Sequence, residues 1–154
     1  MDLKNFLLDV DGVLTNGQFY YSNKGKILKK FGPHDADGLK IISEYLSIKF
    51  ISADKRGFDI TQKRISDMGF SEELVTEKDR ESWVESNYNL SHLVFMGDGL
   101  YDVPILKKSR YSIAPNNAVN EAKKIANFTT IQDGGNGAVY EASLHLIDLI
   151  NDSN

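Results

Sequence analysis

The chain has 154 residues, 41% of them hydrophobic and 26% charged, and it contains no cysteine. This length and balance describe one domain with its own core and argue against disorder, coiled coil or collagen-like repeat. The 18 basic and 22 acidic residues leave a net charge of −4, which disfavours a nucleic-acid partner. Disulfides and cysteine metal sites are excluded, and no apolar run approaches the ~20 residues of a membrane helix. Met1-Asp2-Leu3-Lys4-Asn5 lacks a signal-peptide pattern, so no membrane partner is expected and the expected location is cytoplasmic.

Leu3 to Val10 carries the apolar run Phe6-Leu7-Leu8 and stops at Asp9. It fits a strand buried on both faces of a parallel sheet. Residues 18–22 and 26–31 form a hairpin across Asn23-Lys24-Gly25, with a loop of three to four residues expected. A helix is expected over 34–46, a strand over 48–52, and a helix over 58–68 closed by Gly69. Then come a short strand (73–75), a helix (78–88) with Trp83 and Val84 inward, a strand (93–96), a helix (101–107) and a strand (111–114). A helix (118–126), a strand (128–131), the turn Gly134-Gly135-Asn136-Gly137 and a helix (138–150) complete the chain. Alternating strands and helices imply a Rossmann-like α/β fold: three α/β/α layers, a central parallel sheet and a hairpin inserted after the first strand. Residues 1–154 are expected to form one domain without a cap, with the insertion at about residues 17–31.

In such sheets ligands sit at the carboxyl ends of the strands. The first strand ends in Asp9-Val10-Asp11-Gly12, two acids at i and i+2 followed by a glycine that permits a sharp turn. Like charges this close call for a cation, and hard oxygen ligands select Mg²⁺. Ser52 ends a second strand, where its hydroxyl can donate to a phosphate or cap a helix. Gly97-Asp98-Gly99-Leu100-Tyr101-Asp102 follows a third; Asp98 and Asp102 share one face if a helix begins there, although acids at a helix start also answer its dipole. Together these strand ends offer the parts of metal-assisted phosphoryl transfer.

These motifs resemble those of the haloacid dehalogenase superfamily of phosphatases. Leu8-Asp9-Val10-Asp11-Gly12-Val13-Leu14-Thr15 is similar to its first motif, Ser52 to its second, and Gly97-Asp98 through Asp102 to its fourth. Four features resemble the capless group that includes the 3-deoxy-manno-octulosonate 8-phosphate phosphatases and the phosphatase-like domain of acylneuraminate cytidylyltransferases. They are the short chain, the hairpin, the segment Phe31-Gly32-Pro33-His34-Asp35-Ala36-Asp37-Gly38, and Gly134 to Glu141. The resemblance implies a Mg²⁺-dependent phosphomonoester hydrolase working through an aspartyl-phosphate on a small phosphorylated metabolite, such as a sugar-acid phosphate of polysaccharide synthesis. It makes Asp9 the nucleophile and Asp11 the general acid/base. Asp9, the Asp11 carbonyl and Asp98 become metal ligands, Asp102 supports the metal's water shell, and Ser52 binds phosphate. It also implies a homotetramer built through the hairpins, in which a neighbour covers each site. Burial of Phe19, Tyr20 and Tyr21 is a physical reason for that assembly.

Two positions depart from the pattern. Ala53-Asp54 follows Ser52 where glycine is usual, and the third-motif lysine is replaced in Glu77-Lys78-Asp79-Arg80. Arg80, Lys78 or Lys55 completes the phosphate site, and an Arg is not a neutral exchange for Lys. His34 and Asp35 either touch substrate or cap a helix, and Asn116 and Asn117 border the site or form a turn. His92 and His145 read as structural, and the three histidines are too scattered for a zinc site. Alternatives are a phospho-accepting receiver domain, whose order of acids fits poorly, and a catalytically weak or silent scaffold with the same fold.

Overall fold

The computed structural model describes residues 2–153. The chain alternates strands and helices: β1 (Asn5–Asp9), β2 (Thr15–Ser22), β3 (Gly25–Phe31), α1 (His34–Ile42), β4 (Ser47–Ser52), α2 (Phe58–Asp67), β5 (Glu72–Leu74) and α3 (Arg80–Asn87). It continues with β6 (Leu93–Met96), α4 (Val103–Lys108), β7 (Tyr111–Ala114), α5 (Asn120–Ile125), β8 (Phe128–Thr129) and α6 (Ala138–Asn151). Six strands form one parallel sheet in the order β5-β4-β1-β6-β7-β8. β2 and β3 form a separate antiparallel hairpin.

Alternation along β1 explains the three layers. Phe6 and Leu8 join a core with Leu39 and Ile42 of α1, Ile65 of α2, and Val139 and Leu146 of α6. Leu7 faces the other way, into a core with Val84 of α3, Ile105 and Leu106 of α4, and Ala122 of α5. β1 and β6 lie at the centre, and all four residues of β6 are buried. This is the α/β fold expected from the strand–helix alternation.

Several boundaries differ from expectation for local reasons. The hairpin loop has two residues, Asn23 and Lys24, because Ser22 pairs with Gly25, whose positive φ of 111° allows the tight reversal. The 101–107 helix begins as a 3-10 turn, Leu100–Asp102, and becomes α-helical at Val103, with Pro104 in its first turn. Asp98 therefore lies ahead of the helix. Trp83 is half-buried at the edge of the second core, tilted against Tyr88, whereas Val84 is inside. Among the described residues no helix is long and apolar enough to cross a membrane.

Candidate active site

The chain winds outward from β1 through β4 to β5, then returns to β6 and winds the other way. The carboxyl ends of β1 and β6 thus meet at the reversal point, where a crevice opens in such sheets. Asp9 ends β1, and Asp98 follows β6. One carboxylate oxygen from each of Asp9, Asp98 and Asp102 falls within 4.8 Å of the others. Burial, then the Asp102 carboxylate, pushes Asp9 well above the ordinary carboxylate range, against the pull of Arg80. Burial and Asp102 likewise lift Asp98 to about 7. Three carboxylates in one cluster, Asp9 and Asp102 buried and Asp98 half-buried, are costly unless a cation joins them. An all-oxygen donor set of this kind suits a hard divalent ion such as Mg²⁺.

Asp102 is the most occupied of the three. Its Oδ2 accepts from the backbone N–H of Asp98 and of Gly99, both at 3.0 Å. Its Oδ1 accepts from Arg80 Nη1 at 2.6 Å. Asp102 therefore shapes the loop that carries Asp98. Arg80, the first residue of α3, also places Nη2 3.2 Å from Asp9 Oδ1. Its guanidinium is buried, and despite that burial Asp9 and Asp102 hold its charge more firmly than usual. Lys55 and Lys78 are exposed, and neither lines the crevice. Of the three basic residues that the sequence left open, Arg80 alone is brought to the acids.

Asp11 turns away from the three-acid cluster. Its carboxylate accepts from Lys29 Nζ at 2.7 and 2.9 Å. Lys29 is the inward residue of β3, and its side chain has no exposure. The same Nζ lies 2.7 Å from Asp54 Oδ2, which also pairs with Lys26 at 2.6 Å. Burial opposes ionisation of Asp54, but the two ammonium groups outweigh it and hold the acid at about 2. Lys26 in turn lies over the Phe19 ring, 4.2 Å from its centre. The crevice has a volume of about 380 Å³; Asp9, Asp11, Asp98 and Arg80 line it together with Phe19 and Lys26 of the hairpin and Asp54 from the loop after β4.

The loop after β1 is held tightly. Thr15 Oγ1 accepts from Gly12 N at 3.2 Å and Gly17 N at 3.1 Å. Asn117 donates to the Gly12 carbonyl at 2.9 Å and accepts from Gly134 N at 2.6 Å, so it ties this loop to the glycine-rich turn. A Cβ on Gly12, whose φ is +89°, would fall 2.0 Å from Asp98 Oδ2. Ser52, at the end of β4, is buried, and its Oγ accepts from Asp54 N at 3.0 Å. Its hydroxyl proton stays free to donate.

The structure takes His34 and Asp35 elsewhere. Asp35 is buried against the start of α6, where Oδ1 accepts from Tyr140 N at 3.1 Å. It caps a helix from another part of the chain, and neither residue lines the crevice. His34 is exposed and beside Tyr140. His92 bonds the Asp2 carbonyl, and His145 stacks on Phe128. Sequence reasoning missed Lys29, Lys26, Asp54 and Thr15. A weak signal existed for Lys29: in Ile27-Leu28-Lys29-Lys30 the apolar pair faces solvent, leaving a lysine to point inward.

The model of the haloacid dehalogenase-like hydrolases matches residues 81–142. The 3-deoxy-D-manno-octulosonate 8-phosphate phosphatase of Haemophilus influenzae is 26% identical over 147 residues, 92% of this chain and 81% of its own. That of Escherichia coli K12 is 28% identical over 149 residues, 91% of this chain and 77% of its own. Among solved structures, the corresponding phosphatase of Moraxella catarrhalis, in complex with a magnesium ion, a phosphate ion and KDO, superposes with a TM-score of 0.85 at 25% identity. That match covers 96% of this chain and 87% of the other. The cobalt-bound Haemophilus influenzae enzyme gives 0.83, also at 25% identity, over 96% and 88% of the two chains.

In fold, site and matched segment the chain is similar to the haloacid dehalogenase-like hydrolases, with a hairpin and no cap among the described residues. Over nine-tenths of its length it is similar to the 3-deoxy-D-manno-octulosonate 8-phosphate phosphatases.

Proposed function

We propose that the protein is a Mg²⁺-dependent phosphomonoester hydrolase that works through an aspartyl-phosphate on Asp9. Its substrate is a small phosphorylated sugar acid, of the class that includes 3-deoxy-manno-octulosonate 8-phosphate and acylneuraminate 9-phosphates. The observation that carries this reading is the cluster of Asp9, Asp98 and Asp102, with Arg80 paired to Asp9 in the crevice lining. The sugar-acid class rests on the related phosphatases, one of which was solved with phosphate and KDO.

The reaction divides among named groups. An Asp9 oxygen attacks phosphorus as the bond to the leaving oxygen breaks, and Asp11 gives that oxygen its proton. Asp11 then takes a proton from a water that attacks the phosphorus, which frees Asp9 and inorganic phosphate. Arg80 and the Ser52 hydroxyl hold the non-bridging phosphate oxygens. Asp9, the Asp11 carbonyl and Asp98, with Asp102 behind them, would hold Mg²⁺, which would supply charge neutralisation at those oxygens.

The hairpin exposes Phe19, Tyr20, Tyr21, Ile27 and Leu28 together. Such a patch favours self-association, and a homotetramer in which a neighbour covers the crevice is the assembly we infer. The direct ion pair of Arg80 with Asp9 supports a second reading, a weak or silent scaffold, since it engages the nucleophile. Phosphate release with Mg²⁺ across phosphorylated sugars and sugar acids separates the two. Turnover highest on a sugar-acid phosphate supports the proposal, whereas no release from any ester, including an aryl phosphate, favours the scaffold.

A further inference from the structure

We infer that Lys29 is a positioning residue for Asp11, reaching from the hairpin to fix the carboxyl that serves the leaving group. The inference rests on the phosphatase reading above. Three observations carry it. First, Asp11 lies beyond the end of β1, and its side chain is about a third exposed, so neither strand nor packing fixes its rotamer. Its nearest side-chain partner is Lys29, which meets both oxygens at 2.7 and 2.9 Å, while Thr15 Oγ1 donates to Oδ1 only at 3.5 Å. Second, Lys29 is itself held from behind by Asp54 at 2.7 Å, and Asp54 is anchored by Lys26. A fully desolvated ammonium between two carboxylates has little freedom to move, because leaving either one unpaired is costly. Third, the space for this arrangement is made by Gly57. A Cβ there would fall 2.4 Å from Asp54 Oδ2 and 2.7 Å from Lys29 Cε, although the backbone of Gly57, with φ −110°, would accept any residue.

The hairpin is therefore part of the catalytic wall. Its outward face is apolar, and its inward face delivers one lysine to the residue that must meet the leaving oxygen. Misplacing a catalytic group by about 1 Å can cost about 10²-fold in rate. A proton donor matters most when the leaving group is poor. Loss of Asp11 positioning is therefore felt on alkyl phosphates far more than on aryl phosphates, whose phenolate leaves without a proton.

The experiment compares kcat/KM for an alkyl phosphate and an aryl phosphate, with Mg²⁺, in the wild type, Lys29→Met, Lys29→Arg and Gly57→Ala. Using kcat/KM confines the comparison to steps through phosphoryl transfer to the enzyme. Lys29→Met is expected to lower the alkyl-to-aryl ratio by at least about tenfold. Lys29→Arg is expected to restore part of it. Gly57→Ala changes neither Asp11 nor any cluster acid and is expected to lower the ratio in the same direction. Retained aryl turnover also shows that a variant is folded. Equal losses on both esters, or an unchanged ratio in Lys29→Met and Gly57→Ala, would overturn the inference. A wild type inactive on both esters would overturn the phosphatase reading beneath it, and the inference with it.

Discussion

Arg80 joins two acids of the crevice: its Nη2 lies 3.2 Å from Asp9 Oδ1, and its Nη1 lies 2.6 Å from Asp102 Oδ1. One planar group thus spans the residue that ends β1 and the residue that shapes the loop after β6. A lysine has one nitrogen and cannot make both contacts with the same geometry. Arg80→Met leaves two buried carboxylates without their cation and is expected to cost about 3–5 kcal/mol of stability in EDTA. Mg²⁺ is expected to recover part of that loss, because it brings positive charge to the same acids. Arg80→Lys is expected to keep more of the stability and to lower kcat/KM. Thermal unfolding with and without Mg²⁺, beside phosphate release, checks each outcome.

The acids of the cluster predict a pH dependence with a definite sign. Asp98 is raised from 3.8 to about 7, first by burial and then by Asp102, and Asp9 is raised for the same two causes. Between the ordinary carboxylate range and about 7 the metal-free folded chain holds more protons than the unfolded chain. Its stability therefore falls as pH rises through that window. Burial also lifts Glu72 to about 7, which adds a loss of the same sign unrelated to metal. The difference that Mg²⁺ makes to Tm isolates the cluster. Binding must displace protons, so the shift in Tm is expected to be larger at about pH 8 than at about pH 5. Calorimetry in buffers of different ionisation enthalpy would detect the released protons directly.

Gly12 is where the loop after β1 touches Asp98. An added Cβ would fall 2.0 Å from Asp98 Oδ2, at a φ of +89° that disfavours any side chain. Gly12→Ala must displace either the loop or Asp98. It is expected to lower kcat/KM by about 10²-fold or more and to weaken Mg²⁺ binding. Kinetics and a Mg²⁺ titration followed by Tm test both effects.

Asp35 provides a contrasting control. Its Oδ1 accepts from Tyr140 N at 3.1 Å at the start of α6, outside the crevice lining. Asp35→Ala removes a cap between distant parts of the chain and is expected to cost about 1 kcal/mol, within the range of helix-cap losses. Its kcat/KM on any substrate is expected to match the wild type. A large change in KM with an unaltered Tm would instead place Asp35 at the substrate.

The strand ends were visible in the sequence because two-faced burial leaves a plain mark. Phe6-Leu7-Leu8 stops at Asp9, and Leu93 to Met96 stops just before Gly97-Asp98. Parallel topology then brings those acids together without any knowledge of side-chain contacts. Pairings across the fold were not visible. Lys29 meets Asp11 across 18 positions, and Asp35 meets Tyr140 N across 105. No local period encodes such contacts. Arg80 was recoverable only as one of three basic residues, since linear spacing cannot tell which side chain turns inward at the start of α3.

The most direct test of the central claim is to look for the phosphoryl group on the protein. The wild type is mixed with Mg²⁺ and an aryl phosphate, quenched in acid within a turnover, and mapped by mass spectrometry. The account predicts one phosphoryl group, on Asp9, which is absent without Mg²⁺ and absent in Asp9→Asn together with phosphate release. Undiminished release by Asp9→Asn, or a phosphoryl group found on another residue, would contradict it.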